Sequence, residues 1–322
     1  MSEGKQQSSP QSGADVGWRQ EALAIWRSFP NRAMFGVLLV AWLLLFQFLG
    51  SSTFGYVDTP SLLRWMYNAY NSPFSEDQHG DLIPFVVLGL MWWKRKELEA
   101  ASKGIWLPAL IGLGAGLVLH VLGYVVQQPR ISIIGFFIGL YFLSGLTWGK
   151  SWLRRIFFPF ILFVFCIPIG SLAESITFPL RMIVTHISVA ISQGLLGIDV
   201  VRDGTRIFDA RRTFQYDVAP ACSGIRSLIS LLALTTIYGF VTFERSWKRV
   251  LTMGLAVPLA VAGNVVRITT VIIAAEAFGQ TAGSWVHDYA GFITFAVAIA
   301  CVLLLGHWLR EDRQTGGQGG AL

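Results

Sequence analysis

The chain has 322 residues, of which 53% are hydrophobic and only 14% are charged. Soluble domains carry about 25% charged residues, and runs near 20 apolar residues recur along this chain. The composition therefore excludes a cytosolic enzyme, a disordered regulator and a disulfide-stapled secreted domain. The net charge of +6 comes without a long basic block. It indicates positive cytoplasmic loops rather than nucleic-acid binding.

The first 32 residues are polar and rich in Ser and Gln, which predicts a floppy tail followed by a short amphipathic segment. Residues 33–310 are predicted to form one all-α polytopic membrane domain, followed by a flexible Gly-rich tail over residues 311–322. The domain is expected to contain about eight transmembrane helices. They cover residues 33–50, 80–93, 105–126, 131–148, 152–170, 225–243, 250–278 and 291–309.

Orientation follows from the positive charges in the connections. With the N-terminus inside, 16 of the 25 Lys and Arg residues lie in predicted cytoplasmic segments. This orientation leaves residues 171–224 as the longest outer segment. Residues 176–198 are apolar but contain several polar side chains, so we expect an amphipathic helix on the outer leaflet. The pair Asp203-Gly204 lies in an alternating stretch and predicts a short β-hairpin before the next helix.

The outer segment ends at Cys222, in the sequence Ala221-Cys222-Ser223-Gly224. Ser223 can cap a helix that begins near Ile225. A thiol at a helix N-terminus lies near the positive end of the helix dipole, which favours the reactive thiolate. The alternative is a small apolar core residue, which is the interpretation that fits the other two cysteines, Cys166 and Cys301. Their odd number and wide spacing predict neither a disulfide framework nor a metal site.

Three further residues are candidates for the same outer site. Asn264 and Arg267 lie three residues apart, on one face of the next predicted helix. A helix starting at residue 250 puts Arg267 about 26 Å along, near the outer boundary of the bilayer. His287 lies just before the last predicted helix. The alternatives are a snorkelling arginine and a surface or capping histidine.

Together these residues supply a nucleophile, an anion stabiliser and a group that moves protons near neutral pH. Cys222, Arg267 and His287 all fall at the outer ends of three consecutive predicted helices, which short connections make neighbours. Acyl transfer from a peptide bond requires such a set. Asn264, Ser223 and Arg226 are supporting candidates. Arg226 follows Cys222 by four residues, and we expect it to face lipid headgroups rather than the site.

The motif around Cys222 resembles that of the exosortase/archaeosortase family. So do Asn264-x-x-Arg267, His287-x-x-x-Gly291 and the entry His79-Gly80-Asp81, over about residues 33–310. The resemblance implies a cysteine transpeptidase or protease of the bacterial inner membrane, with its site facing the periplasm and no cofactor. Its partners would be exported proteins with a C-terminal sorting signal, which combines a Pro-Glu-Pro-like motif, a membrane helix and a basic cluster. By matched position, Cys222 would be the nucleophile, Arg267 the transition-state stabiliser and His287 the general acid/base.

Two other classes of membrane protein remain open at this point. A transporter could use Arg267 to bind an anionic substrate, although the chain shows no internal symmetry of the kind common in transporters. A non-catalytic component of a polysaccharide-export system is the second alternative. Both classes should tolerate Cys222→Ala, whereas a transpeptidase should not.

Overall fold

The computed structural model describes residues 12–50, 60–73, 75, 77–169, 172–209, 215–217 and 225–309. The chain divides into two compact units. The N-terminal unit comprises residues 1–69 and 80–168, and the C-terminal unit comprises residues 70–79 and 169–322. The predicted tails over residues 1–11 and 310–322 lie outside the described residues.

The described part of the N-terminal unit contains helices joined by short turns and irregular segments. Its helices are α1 (Ser12–Ser28), α2 (Arg32–Phe48), α3 (Leu62–Tyr70), α4 (Ile83–Trp93), α5 (Arg95–Glu99), α6 (Ala109–Val125) and α7 (Pro129–Ile161), and a 3-10 segment over Leu162–Cys166 follows. Helices α6 and α7 pack along their length, since glycines allow the two backbones to approach closely. A cluster of aromatic side chains around Phe29, Trp148 and Trp152 forms the buried core at one end.

Helix α7 is divided into two arms at Gly149, which has φ 90° and ψ 174°. This conformation is open to glycine and strained for any residue with a Cβ. The break falls in the link over residues 149–151 that separates the predicted helices 131–148 and 152–170. The chain reverses there, since Tyr141 of the first arm contacts Phe160 of the second. Pro159 lies inside the second arm.

The C-terminal unit contains a small sheet and the helices that form the candidate site. Its elements are α8 (Leu172–Gly194), β1 (Val200–Asp203), β2 (Arg206–Asp209), β3 (Gln215–Asp217), α9 (Ile225–Thr242), α10 (Ser246–Gly254), α11 (Ala256–Phe278) and α12 (Gln280–Trp308). Strands β1 and β2 pair antiparallel across the Gly204-Thr205 turn, and β3 pairs antiparallel with β2. Val200 and Ile207 are fully buried in a core shared with α8 and α11, which fixes the sheet beside those helices.

Two helix boundaries differ from the sequence-based prediction. The predicted helix over residues 250–278 is divided between α10 and α11, because Pro258 has no N–H to donate to the carbonyl of Gly254. The last helix begins at Gln280 instead of residue 291, so His287 lies inside α12 rather than before it. Gly279 alone joins α11 to α12, with φ 84°. The polar residues 280–290 concealed this early start from the hydropathy pattern.

Helix α8 turns one line of polar side chains inward. Arg181, Thr185, Ser188 and Ser192 are all buried, at the spacing of one helical face. His186 and Gln193 are exposed. The predicted position of this helix on the outer leaflet stays a prediction.

Within the described residues, three helical segments are long and apolar enough to cross a membrane. They are Pro129–Cys166, Ser246–Phe278 and Tyr289–Trp308, and a fourth arises if the bent pair formed by α1 and α2 counts as one span. Helices α6 and α9 are apolar but shorter. The chain is therefore a predominantly helical membrane protein, and the larger number of eight spans stays a prediction.

Candidate active site

Helix α11 carries the two polar residues that the sequence singles out. Asn264 and Arg267 lie one turn apart on it, with Asn264 buried and Arg267 partly buried. Within the segment long enough to span a membrane, Ser246–Phe278, Arg267 lies eleven residues before the end. Its position near the outer boundary of the bilayer stays a prediction. A charged group within the hydrocarbon region costs free energy, so its surroundings must compensate it.

A backbone contact to the next helix provides part of this compensation. Arg267 Nη2 donates a hydrogen bond to the carbonyl oxygen of His287 on α12, over 2.8 Å. Gly291, one turn further along α12, leaves room for the guanidinium, since an added Cβ would lie 3.5 Å from Arg267 Cζ. Arg267 and the main chain at His287 are thus held together by a direct contact, with the His287 side chain half-buried beside it.

Two nitrogen donors at this position have no hydrogen-bond partner within the described part of the chain. They are Asn264 Nδ2 and Arg267 Nε, and both atoms are inaccessible to solvent. Leaving a buried donor unpaired costs about 1–3 kcal/mol. Natural proteins keep such groups mainly where a water molecule, an ion or a substrate completes them.

Asn264 and Arg267 line a small cavity of about 20 Å³ between three helices. Its other lining residues are Ser227 and Leu231 from α9, Leu259, Ala260 and Gly263 from α11, and Gly291, Thr294, Phe295 and Ala298 from α12. A volume of this size holds about one water molecule or one oxygen atom of a ligand. The arrangement can therefore bind a single acceptor atom, and the cationic guanidinium favours one that carries negative charge.

The remaining predicted site residues are at the start of α9. Cys222 and Ser223 lie outside the described residues. Arg226 is in the first turn of α9, and its side chain also lies outside the described part. The described part of the site therefore brings together Asn264, Arg267 and the backbone of His287.

Sequence reasoning missed two polar residues at this cavity, Ser227 and Thr294. Thr294 Oγ1 donates to the carbonyl oxygens of Ala290 and Gly291, at 3.1 Å each. Thr294 follows Gly291 by three residues, so the two share a face of α12, and this spacing could have identified Thr294 as a site residue. Ser227 was visible only as a hydroxyl in the first turn of α9, where it also has a polar interaction.

The fold and this site define a helical membrane protein with a buried polar centre between apolar helices. A family model described as transmembrane exosortase (Exosortase_EpsH) matches residues 73–304, so the chain belongs to the transmembrane exosortase family. The resemblance seen in the sequence is confirmed. Exosortases are membrane transpeptidases that process sorting signals. No curated protein and no solved structure matches the chain.

Proposed function

We propose that this protein is a cysteine transpeptidase or protease that cleaves C-terminal PEP-CTERM-like sorting signals of exported proteins. The reaction takes place at the outer face of the bacterial inner membrane and serves protein sorting linked to exopolysaccharide. One observation carries the proposal: Arg267, bonded to the main chain of His287 and with its Nε buried and unpaired in the described part of the chain, lines with Asn264 a cavity the size of one oxygen atom.

The first half of the reaction forms a thioester. The Cys222 thiolate attacks the scissile carbonyl carbon, and the carbonyl electron pair moves to oxygen. The resulting oxyanion is stabilised by Arg267 and Asn264, which donate to it from fixed positions. When the tetrahedral intermediate collapses, the C–N bond breaks and the His287 imidazolium gives its proton to the leaving amine.

The second half releases the product. A water molecule or an acceptor amine attacks the thioester carbonyl and loses a proton to His287. The C–S bond then breaks, and the electron pair returns to sulfur as the Cys222 thiolate. Each half of the reaction forms an oxyanion at the same position, so the guanidinium stabilises negative charge twice in each turnover.

The contact between Arg267 and the His287 carbonyl supports these roles in a specific way. The hydrogen bond that Nη2 donates restricts rotation of the guanidinium, which also fixes the position of the unpaired Nε. Donors fixed before the reaction need no reorganisation when charge develops. The bond uses the main-chain carbonyl of His287 and not its imidazole.

The test is processing of a tagged protein that bears a Pro-Glu-Pro-like C-terminal signal, co-expressed with the full chain in membranes. We expect the wild type to shorten the substrate, and Cys222→Ala and Cys222→Ser to leave it intact. Cys301→Ala is the matched control, because Cys301 is an exposed cysteine of the same unit. The mass of the product identifies water or an amine as the acceptor.

Each alternative gives a different result in this assay. A transporter or a structural component of an export system tolerates Cys222→Ala and leaves the substrate unshortened in every strain. Processing that persists in both Cys222 variants would remove Cys222 as the nucleophile. Loss of processing in Cys301→Ala as well would point to general damage rather than to a catalytic thiol.

A further inference from the structure

The N-terminal unit contains a separate groove that the proposed reaction does not use. It lies between the two arms of α7 and the 3-10 segment after them, with a volume of about 220 Å³. Its lining is formed by Ile134, Phe137, Ile138, Tyr141, Phe157, Phe160, Ile161, Phe163, Val164 and Ile167. All ten residues belong to the span Pro129–Cys166 or follow it directly.

The lining side chains offer a ligand no free hydrogen-bonding group. The one polar side-chain atom, the Tyr141 hydroxyl, donates to the carbonyl oxygen of Leu153 over 2.8 Å. Phe163 stacks on Phe137, with ring centroids 4.5 Å apart, and also contacts Phe160. Rings packed in this way give the groove fixed walls. Such a lining favours a hydrocarbon chain as the ligand.

The length and volume of the groove fit an acyl chain and are too small for a membrane helix. The first arm lines the groove from Ile134 to Tyr141, which is about 10 Å along a helix. This length lies within one leaflet, since the whole hydrocarbon core is about 30 Å thick. A helix is itself about 10 Å wide, and a volume of 220 Å³ holds only about fifteen to twenty groups the size of water.

A cation lies at one end of the groove. Arg130 precedes Ile134 by one turn of α7, and its Nε donates to the carbonyl oxygen of Pro168, the residue after Ile167. The guanidinium is thus tied to the end of the groove that Ile134 and Ile167 form. Its two Nη groups have no protein partner in the described part of the chain. Arginine binds phosphate through paired donors, and the N-terminus of α7 adds the positive end of a helix dipole.

We propose that this groove binds one anionic phospholipid, with an acyl chain between the arms of α7 and its phosphate on Arg130. The lipid belongs to the leaflet whose headgroups are level with Arg130. It fills the space between the arms with hydrocarbon and fixes their separation.

The test measures lipid retained by the purified full-length protein. The protein is reconstituted with equal amounts of phosphatidylglycerol and phosphatidylcholine, returned to detergent and analysed by native mass spectrometry. We expect about one phosphatidylglycerol per chain in the wild type, and roughly tenfold weaker retention in Arg130→Gln, since hydrogen bonds to charged groups are the strong ones. Arg64→Gln is the control, because Arg64 is an exposed cation of α3.

Two further variants test the groove itself. Ile138→Trp fills it and should abolish retention, whereas Ile111→Trp adds the same ring at an exposed position of α6. If Ile138→Trp does not fold, Phe157→Ala removes one wall and should weaken retention, with Phe178→Ala as its control, because both rings are 50% exposed. Equal retention of both lipids by the wild type would overturn the proposal. So would unchanged retention in the groove variants that fold.

Discussion

The guanidinium of Arg267 lies against the backbone of Gly291, where an added Cβ would be 3.5 Å from Cζ and 3.6 Å from Nη1. This is ordinary van der Waals contact, so the position accepts one carbon but has no room for a branched side chain. Gly291 therefore leaves space for the guanidinium between α11 and α12. Substitutions of Gly291 test the position of the Arg267 guanidinium without removing the arginine.

We expect Gly291→Ala to retain processing and Gly291→Val to lose at least about tenfold in rate, because the extra methyl groups displace Arg267. The measurement is the initial rate of substrate shortening in membranes at matched protein levels. Gly36→Val is the control, since a Cβ at Gly36 meets nothing within 4 Å. Full activity of Gly291→Val would show that the guanidinium position does not matter.

Replacing Arg267 by lysine keeps the charge but not the geometry. A single ammonium cannot donate to the His287 carbonyl and also reach the position of Nε. We expect Arg267→Lys to lower the rate by about 10²–10³-fold, the usual cost of removing one oxyanion donor. Arg249→Lys is the matched control, because Arg249 Nε also donates to a carbonyl, that of Phe243 at 2.7 Å, away from the site.

Asn264 should separate activity from stability. Its amide is buried with an unpaired Nδ2, and such a donor destabilises the fold by about 1–3 kcal/mol. Asn264→Leu removes the unpaired group at similar volume, so we expect an unfolding midpoint equal to or above that of the wild type. The processing rate should fall by about 10–100-fold if Nδ2 binds the oxyanion. A variant that loses stability and activity together would make Asn264 a structural residue instead.

Close packing of α6 on α7 gives a prediction outside the site. A Cβ added at Gly116 would lie 2.8 Å from the carbonyl oxygen of Gly135, whereas one at Gly114 meets nothing within 4 Å. We expect Gly116→Leu to destabilise the protein by about 1–3 kcal/mol and Gly114→Leu to be nearly neutral. Thermal unfolding of the two variants in the same detergent provides the comparison, and equal midpoints would contradict the close contact.

Much of the helical layout could be predicted from hydropathy, because long apolar runs with charged connections have few alternatives. The break at Gly149 falls within residues 149–151, where the hydropathy pattern already separates two helices, and the end of α11 at Phe278 also agrees with the prediction. The start of α12 could not be predicted in this way. A single glycine with positive φ, Gly279, joins α11 to α12, so the chain is helical from Gln280, where the sequence pattern predicts a loop up to residue 291.

Part of the candidate site could also be predicted from the sequence. Asn264 and Arg267 share a helix face at a spacing of three residues, which depends only on helix geometry. The contact of Arg267 with His287 involves a main-chain carbonyl, and sequence reasoning evaluates His287 by its imidazole alone. Contacts to backbone atoms depend on how two helices pack, so residue identity carries little information about them.

The connection through Gly279 also constrains how the protein is made. Because one residue joins them, we expect α11 and α12 to enter the bilayer together as a hairpin. Arg267 would then meet the His287 carbonyl during insertion, which lowers the cost of placing an unaccompanied charge in hydrocarbon. The contact that orients the guanidinium in the folded protein would thus also stabilise its charge while the two helices insert.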